Sequence, residues 1–330
     1  MNRFQHVLVT GGAGYVGSAL IPKLLEAGYR VTVLDLYLYG TELFAEHRGP
    51  NLREVQGDIR DPQAVADALQ GVDAVIHLAC ISNDPSYDLD PALGRSINYD
   101  AFRPLVKACK SAGVKRFVYA SSSSVYGVKA ERDVHESLPL EPLTDYSKFK
   151  ALCETVLVEE QEPGFVTVTV RPSTVCGYAK RLRLDLVVNI LAAHAWFNRK
   201  IKVFGGDQMR PNIHIADMVG VYLDLLAQPD HVIDGEIFNA GYENKTVSEL
   251  AQLVQQNVPG EISVEVVPTD DNRSYHVSAA KMRHVLGFVP RFTIEDAITD
   301  LCAAFADGRV SAMNDDVYHN IRRMQSAKLS

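Results

Sequence analysis

The chain has 330 residues, 47% of them hydrophobic and 22% charged, with a formal net charge of -8 at pH 7. That balance belongs to a globular chain with one or two buried cores and excludes disorder as the main state. The acidic surface argues against a general binder of nucleic acid or anionic membrane, and no apolar run approaches the roughly 20 residues of a membrane span.

Residues 6–10 (HVLVT), 31–34 (VTVL), 74–78, 117–121 and 166–170 (VTVTV) are predicted as buried strands, with a weaker one at 53–56. Amphipathic stretches of helical length lie between them: Val16–Ala27, Pro62–Leu69, Ala101–Ala112 and Tyr146–Glu160. Such alternation predicts an α/β fold, a Rossmann-type doubly wound parallel sheet with helices on both faces. Past Pro172 the alternation loosens into a helix at Leu184–Phe197 and a short strand at Ile201–Phe204. A further helix, Val247–Gln256, follows a capping box of Thr246 with Glu249, and another runs near Ile294–Asp307 before a polar tail. A second, smaller C-terminal α/β lobe is expected there.

The opening residues Met1–Thr10 lead into a strand without the charged region and apolar core of a leader peptide. Cys80, Cys109, Cys153, Cys176 and Cys302 are scattered without a CxxC pair, and the ten histidines form no HExxH spacing. Reduced thiols in a cytoplasmic protein without a metal site are expected.

Thr10-Gly11-Gly12-Ala13-Gly14-Tyr15-Val16-Gly17 follows the first strand and opens the first helix. Glycines here permit a tight turn, and the helix N-terminus offers free N–H groups to a diphosphate; glycines in such turns also serve geometry alone. Asp35 ends the second strand, where a carboxylate can accept from the ribose hydroxyls of an adenosine and repel a 2′-phosphate. No Lys or Arg lies between Leu36 and Glu46, so NAD is favoured over NADP. Asp58, after the third strand, can reach an adenine amino group or be an ordinary turn aspartate.

Tyr146 and Lys150 are four apart and share a helical face. An ammonium beside a phenol favours the phenolate, which makes Tyr146 a candidate general base. Upstream, a strand runs into Ser121-Ser122-Ser123-Ser124-Val125-Tyr126-Gly127, where a hydroxyl can orient the reacting oxygen toward the tyrosine.

This set of motifs resembles the extended short-chain dehydrogenase/reductase superfamily, in its NAD-dependent sugar-nucleotide epimerase/dehydratase branch. The likeness continues through Gly57-Asp58-Ile59-Arg60-Asp61, His77-Leu78-Ala79, Asn98, Arg171-Pro172, Arg210–Asp217, Phe238–Gly241 and Leu286–Pro290. It implies Tyr146 as base, Lys150 bridging the nicotinamide ribose and Ser122 as the catalytic hydroxyl. The NAD contacts it implies are Gly11, Gly14, Tyr15, Val16, Gly17, Asp35, Asp58, Ile59, Leu78, Ala79, Asn98, Tyr146, Lys150 and Pro172.

Residues 1–172, with 213–240 returning to them, are then the NAD-binding domain, and 173–212 with 241–330 the substrate lobe. Family members that eliminate water carry an acidic residue one or two places after the catalytic hydroxyl. Here Ser123 and Ser124 stand there, which disfavours a 4,6-dehydratase. The run from Lys180 to Asn189 looks like a subgroup that includes dehydrogenases oxidising C4 of a nucleotide-linked heptose.

On the substrate side, Lys180, Arg181 and Arg183 form either a grip for a nucleotide diphosphate or a solvated basic turn. Ser122, Ser123, Ser124, Thr174, Arg210 and Arg273 are further substrate candidates, and Asn189 either contacts the nucleotide or is a buried helix amide. His214 and Asp217 are expected to fix a turn. Tyr318–Arg323 is expected as a partly disordered surface tail, with closure over the site as the alternative. The resulting expectation is a C4 epimerase working through a transient keto sugar, with net C4 dehydrogenation as the alternative. A non-catalytic dinucleotide binder would lack the Tyr or Lys, and a ketoreductase preferring NADPH conflicts with Asp35. A homodimer through the helices near 101–112 and 146–160 is implied by the resemblance alone.

Overall fold

A computed structural model describes residues 3–131, 133–269, 274–310 and 312–329. Its main sheet has seven strands, which we label in chain order: β1 (His6–Thr10), β2 (Arg30–Asp35), β3 (Leu52–Gln56), β4 (Ala74–His77), β5 (Arg116–Ala120), β6 (Val166–Pro172) and, after three outside this sheet, β10 (Glu236–Ala240). The outside strands are β7 (Thr174–Cys176), β8 (Lys200–Phe204) and β9 (Met209–His214). Two more follow, β11 (Glu243–Thr246) and β12 (Ser263–Val267).

The seven pair in parallel in the order β10-β6-β5-β4-β1-β2-β3. Parallel strands need crossover helices, which cover both faces, so β1, β4, β5 and β6 are buried on both sides of the sheet, the threonines of β6 included. In β1, Val7 and Val9 join the core on one side, with Leu20, Ile21 and Leu24 of the helix Tyr15–Glu26. Leu8 joins the core on the other side, with Phe102, Leu105 and Phe117.

The remaining strands make two small sheets, β11-β9-β7 and β12-β8. In the first of these, β7 is parallel to β9 and β11 antiparallel. The capping box of Thr246 with Glu249 is present at the helix Val247–Asn257. The expected helix from Leu184 begins later, at Val187, because Leu186 has extended backbone and Leu184 N donates to Tyr318 O. Ahead of the helix Phe102–Ser111 the chain makes a π turn, Ser96–Asp100. His214 and Asp217 fix local structure: His214 Nδ1 accepts from Ala216 N, and Asp217 accepts from Arg291 N and Phe292 N.

The order of strands reverses between β1 and β4. At that point the loops leaving their C-terminal ends diverge and open a crevice, the expected ligand position in such sheets. His77, the last residue of β4, is buried beneath it, with Nδ1 2.7 Å from Thr10 Oγ1 and its ring stacked on Tyr119. Burial, reinforced by the Lys150 charge, pushes its pKa from 6.5 down to about 3. Between those values the unfolded chain binds a proton that the folded chain does not. The stability from neutral His77 is therefore complete above pH 6.5 and falls as pH drops toward 3. Urea unfolding at pH 7 and pH 5 is expected to show a larger loss for the wild type than for His77→Gln; equal losses would exclude this source.

Candidate active site

The crevice is a cavity of about 450 Å³, within the range of small-molecule sites. Its floor at one end is the glycine turn. Gly11 has φ +70, and a Cβ there would sit 2.5 Å from Ala79 N. At Gly17 a Cβ would meet Gly12 O at 2.3 Å, so the first turn of the helix can lie on the loop only without a side chain. Gly14 caps this helix with no side-chain bond, leaving the helix N-terminus to a ligand.

Asp35 stitches the turn to the end of β2: its Oδ2 accepts from Ala13 N at 2.9 Å and its Oδ1 from Tyr37 N at 2.8 Å. Burial raises the carboxyl's pKa against the pull of these bonds. Asp58 also lines the cavity, but Arg60 holds it through Nε and Nη2, the latter at 2.6 Å. Burial alone would raise the Asp58 pKa; the Arg60 bonds outweigh it and hold the carboxyl below its usual value.

At the opposite end, Thr144 caps the helix Asp145–Glu159 in a capping box with Ser147 and donates to Asp84 Oδ1 at 2.5 Å. This fixes the first turn, and with it Tyr146, against the loop after β4. Ser122 stands near the Tyr146 phenol in the cavity wall, with its Oγ 2.8 Å from Ser124 Oγ.

Lys150 stands near this phenol and also reaches the end of β5. Lys150 Nζ donates to Ala120 O at 2.7 Å and lies 5.9 Å from the Tyr146 ring centre. Burial raises the phenol's pKa well above its ordinary value, while the Arg183 charge and the Ser122 hydroxyl pull it back. Lys150 thus braces the end of β5, next to the serine row.

Behind the serines lies a buried ion pair: Arg171 Nη2 to Glu154 Oε2 at 2.6 Å, both side chains almost fully enclosed. Ser121 Oγ donates to Glu154 at 2.5 Å, and Arg171 Nη1 donates to the Tyr126 hydroxyl at 2.7 Å, which donates on to Asn239 Oδ1.

Gly11, Gly14, Tyr15, Val16, Gly17, Ile59, Leu78, Ala79 and Pro172 line the cavity together with Asp35, Asp58, Tyr146 and Lys150. So do Ser122, Ser123, Ser124, Thr174, Arg181, Arg183 and Arg210. Two expected contacts do not. Asn98 is buried with its amide paired to both backbone groups of Ile81, so it shapes the loop after β4 from behind. Asn189 is fully enclosed: it accepts from Gly177 N and donates to Tyr15 Oη and Arg183 O, leaving no group for a nucleotide. Arg273 lies outside the described residues.

The solvated-turn reading of the basic run holds only for Lys180, which is exposed and paired with Glu46. Arg181 and Arg183 are buried. Burial presses Arg181 down to about 10, so it remains a cation at neutral pH.

The expected disordered tail is also corrected. Residues Asn320–Ala327 form a helix that closes over the cavity, with Asn320 and Met324 in its wall. Asn320 Nδ2 donates to Ser82 Oγ, Tyr39 Oη donates to Asn320 Oδ1, and Arg323 Nε donates to Leu38 O. Sequence reading missed Tyr39, Ser82, Asn83 and Asn320 as wall residues. Asn83 left a trace only in its positive φ of 75, which sequence does not display.

These features define a dinucleotide-binding α/β enzyme with a serine–tyrosine pair at the open end of its sheet. The chain belongs to the NAD dependent epimerase/dehydratase family, whose model matches residues 7–241. The UDP-glucose 4-epimerase of Lactobacillus helveticus is 28% identical over 320 residues, covering 88% of this chain and 94% of that one. DesIV of Streptomyces venezuelae, a dTDP-glucose 4,6-dehydratase solved with NAD and TYD bound, superposes with a TM-score of 0.84 at 26% identity, covering 94% of this chain and 99% of its own. The UDP-glucose 4-epimerase of Thermus thermophilus, solved with NAD, gives 0.79 at 25% identity, covering 92% and 99%. Among the described residues no group of His, Cys, Asp and Glu is arranged to hold a metal ion, and no helix is long and apolar enough to cross a membrane.

The cofactor of this family is NAD, and the residues present fit it: glycines where a Cβ would clash, a free helix N-terminus, and a carboxylate at the end of β2. Asp35→Ala is expected to weaken NAD binding about tenfold, by removing the carboxylate at the end of β2 and its tie to Ala13. Fluorescence titration of both cofactors checks this. Wild-type binding of NADPH equal to that of NADH would overturn the assignment of Asp35.

Proposed function

We propose that the chain is an NAD-dependent sugar-nucleotide epimerase acting at C4 through a transient 4-keto sugar. The observation that carries this reading is Tyr146 and Ser122 brought together in the cavity wall, with the neutral Ser123 and Ser124 beside them. Bound NAD supplies the hydride acceptor, and on return the donor. Tyr146 takes the proton of the sugar hydroxyl, Ser122 holds the same oxygen, and Lys150 keeps the strand end that carries the serine in place. Elimination of water needs an acid and a base beyond this pair, and two serine hydroxyls are poor substitutes for carboxylates.

The supporting relatives include UDP-glucose 4-epimerases, which makes UDP-sugars the first compounds to assay. Incubation with UDP-, dTDP-, GDP- and CDP-sugars, read by product NMR and by NADH absorbance, tests the reading. An epimer without net NADH is expected. A keto sugar with stoichiometric NADH would instead make the enzyme a net dehydrogenase, and a dehydrated product would overturn the argument from Ser123 and Ser124.

Residues 1–172 and 213–240 are assigned to the dinucleotide and the remainder to the sugar nucleotide. We also assign the chain to the cytoplasm, which suits its five free cysteines. It is further read as a homodimer through the helices Phe102–Ser111 and Asp145–Glu159. Leu152 and Val158 stand exposed on the second of these. Light scattering at micromolar concentration is expected to give twice the chain mass; a monomer would remove the dimer.

A further inference from the structure

Two residues apart, Arg181 and Arg183 serve different ends of the cavity. Arg183 turns toward the substrate end: Nη1 donates to Ser82 Oγ at 3.1 Å, Nε to Asp185 Oδ1 at 2.9 Å, and its charge acts on the Tyr146 phenol. Arg181 turns toward the glycine turn. Its backbone N donates to Ser18 Oγ, on the helix that the glycines open, at 3.1 Å. Its guanidinium lies 3.6 Å from the ring centre of Tyr39, in the loop after β2, and its charge acts on Asp35.

The guanidinium of Arg181 is incompletely used. Nη2 donates to Asn320 Oδ1, while Nε and Nη1 are buried with no hydrogen-bond partner among the described residues. The residue is only 4% exposed and lines the cavity. Stacking on Tyr39 occupies a face of the guanidinium and leaves its edge donors for an acceptor in the plane. Buried donors on a cation are costly unless something accepts from them, and N–H groups left on both edges of the guanidinium suit the several oxygens of a diphosphate. Asp185, the nearby carboxylate, is already bonded to Arg183 and to Asn320 N.

We propose that Arg181, held in place by Asn320 of the C-terminal helix, binds the phosphates of the dinucleotide and not those of the sugar nucleotide. The glycine turn and Arg181 then grip the diphosphate from two sides. One of those sides belongs to a loop that leaves the sheet after β7, and its support comes from a helix beyond the span matched by the family model. The proposal rests on the NAD-dependent reading above.

Calorimetric titration of the full chain with NAD, ADP, adenosine and UDP tests it, comparing wild type with Arg181→Met and Arg181→Lys. In Arg181→Met, affinity for NAD and ADP is expected to fall about tenfold or more, with adenosine and UDP unchanged. Arg181→Lys, which keeps the charge and loses the fork, is expected to recover part of the ADP affinity. Unchanged ADP affinity overturns the proposal, as does a loss confined to UDP. Equal losses for ADP and adenosine would assign Arg181 a structural role and also overturn it. Absence of NAD binding in the wild type would instead sink the reading on which the proposal stands.

Discussion

Tyr146→Phe is expected to lower epimer formation by about 10²–10⁴-fold while leaving NAD affinity within a few-fold of wild type. The phenol is the ionisable group that Ser122 contacts in the cavity, and phenylalanine keeps the ring while removing the oxygen. Because burial raises this phenol's pKa, turnover depends on whatever favours its ionised form. In this structure the Arg183 charge and the Ser122 hydroxyl are among those influences. Ser122→Ala is therefore expected to slow the reaction in the same direction by a smaller factor. Product NMR with the accepted sugar nucleotide measures both. A Tyr146→Phe enzyme as fast as wild type would remove Tyr146 from the chemistry.

The second large effect is on stability. Glu154→Ala leaves Arg171 as a buried cation without its carboxylate and takes the acceptor from Ser121. Removing one partner of such a pair costs about 3–5 kcal/mol, several times the roughly 0.5 kcal/mol of a typical single surface change. Replacing both partners by leucine is expected to cost clearly less than the sum of the single changes, since no unpaired charge then stays buried. Urea unfolding of the two single variants and the double variant measures this; additive losses would mean the pair is not coupled. Activity should suffer even where the fold survives, because the pair sits directly behind the strand end that presents Ser122.

Much of this was legible from sequence. The strands of the first half announced themselves because parallel strands are apolar on both faces, and the glycine turn because Gly11 and Gly17 stand where any side chain would strike backbone. Tyr146, Lys150 and the serine row declared themselves by spacing on one helix and one strand end. What sequence hid were contacts between segments far apart in the chain. Asn189 and Asn98 have the chemistry of ligand contacts, and only the fold places their amides against Gly177 and Ile81. The C-terminal run looked like a tail because it is polar. Its polar atoms prove to be partners for Leu38, Ser82 and Arg181.

The position of β10 bears on how the chain acquires its fold. This strand closes the sheet beside β6, yet it is synthesised only after β7, β8 and β9, which belong to other sheets. Until Glu236–Ala240 leaves the ribosome, the backbone of Val168–Pro172 in β6 is an unpaired edge, and the side chains of Val168 and Val170 that the finished protein encloses lack part of their cover. Such an edge recruits foreign strands. The two halves of the molecule therefore cannot mature one after the other: the nascent chain must keep an open, sticky border through the making of its second lobe. Chaperone demand during synthesis, and aggregation of fragments that stop short of Glu236, follow from strand order alone.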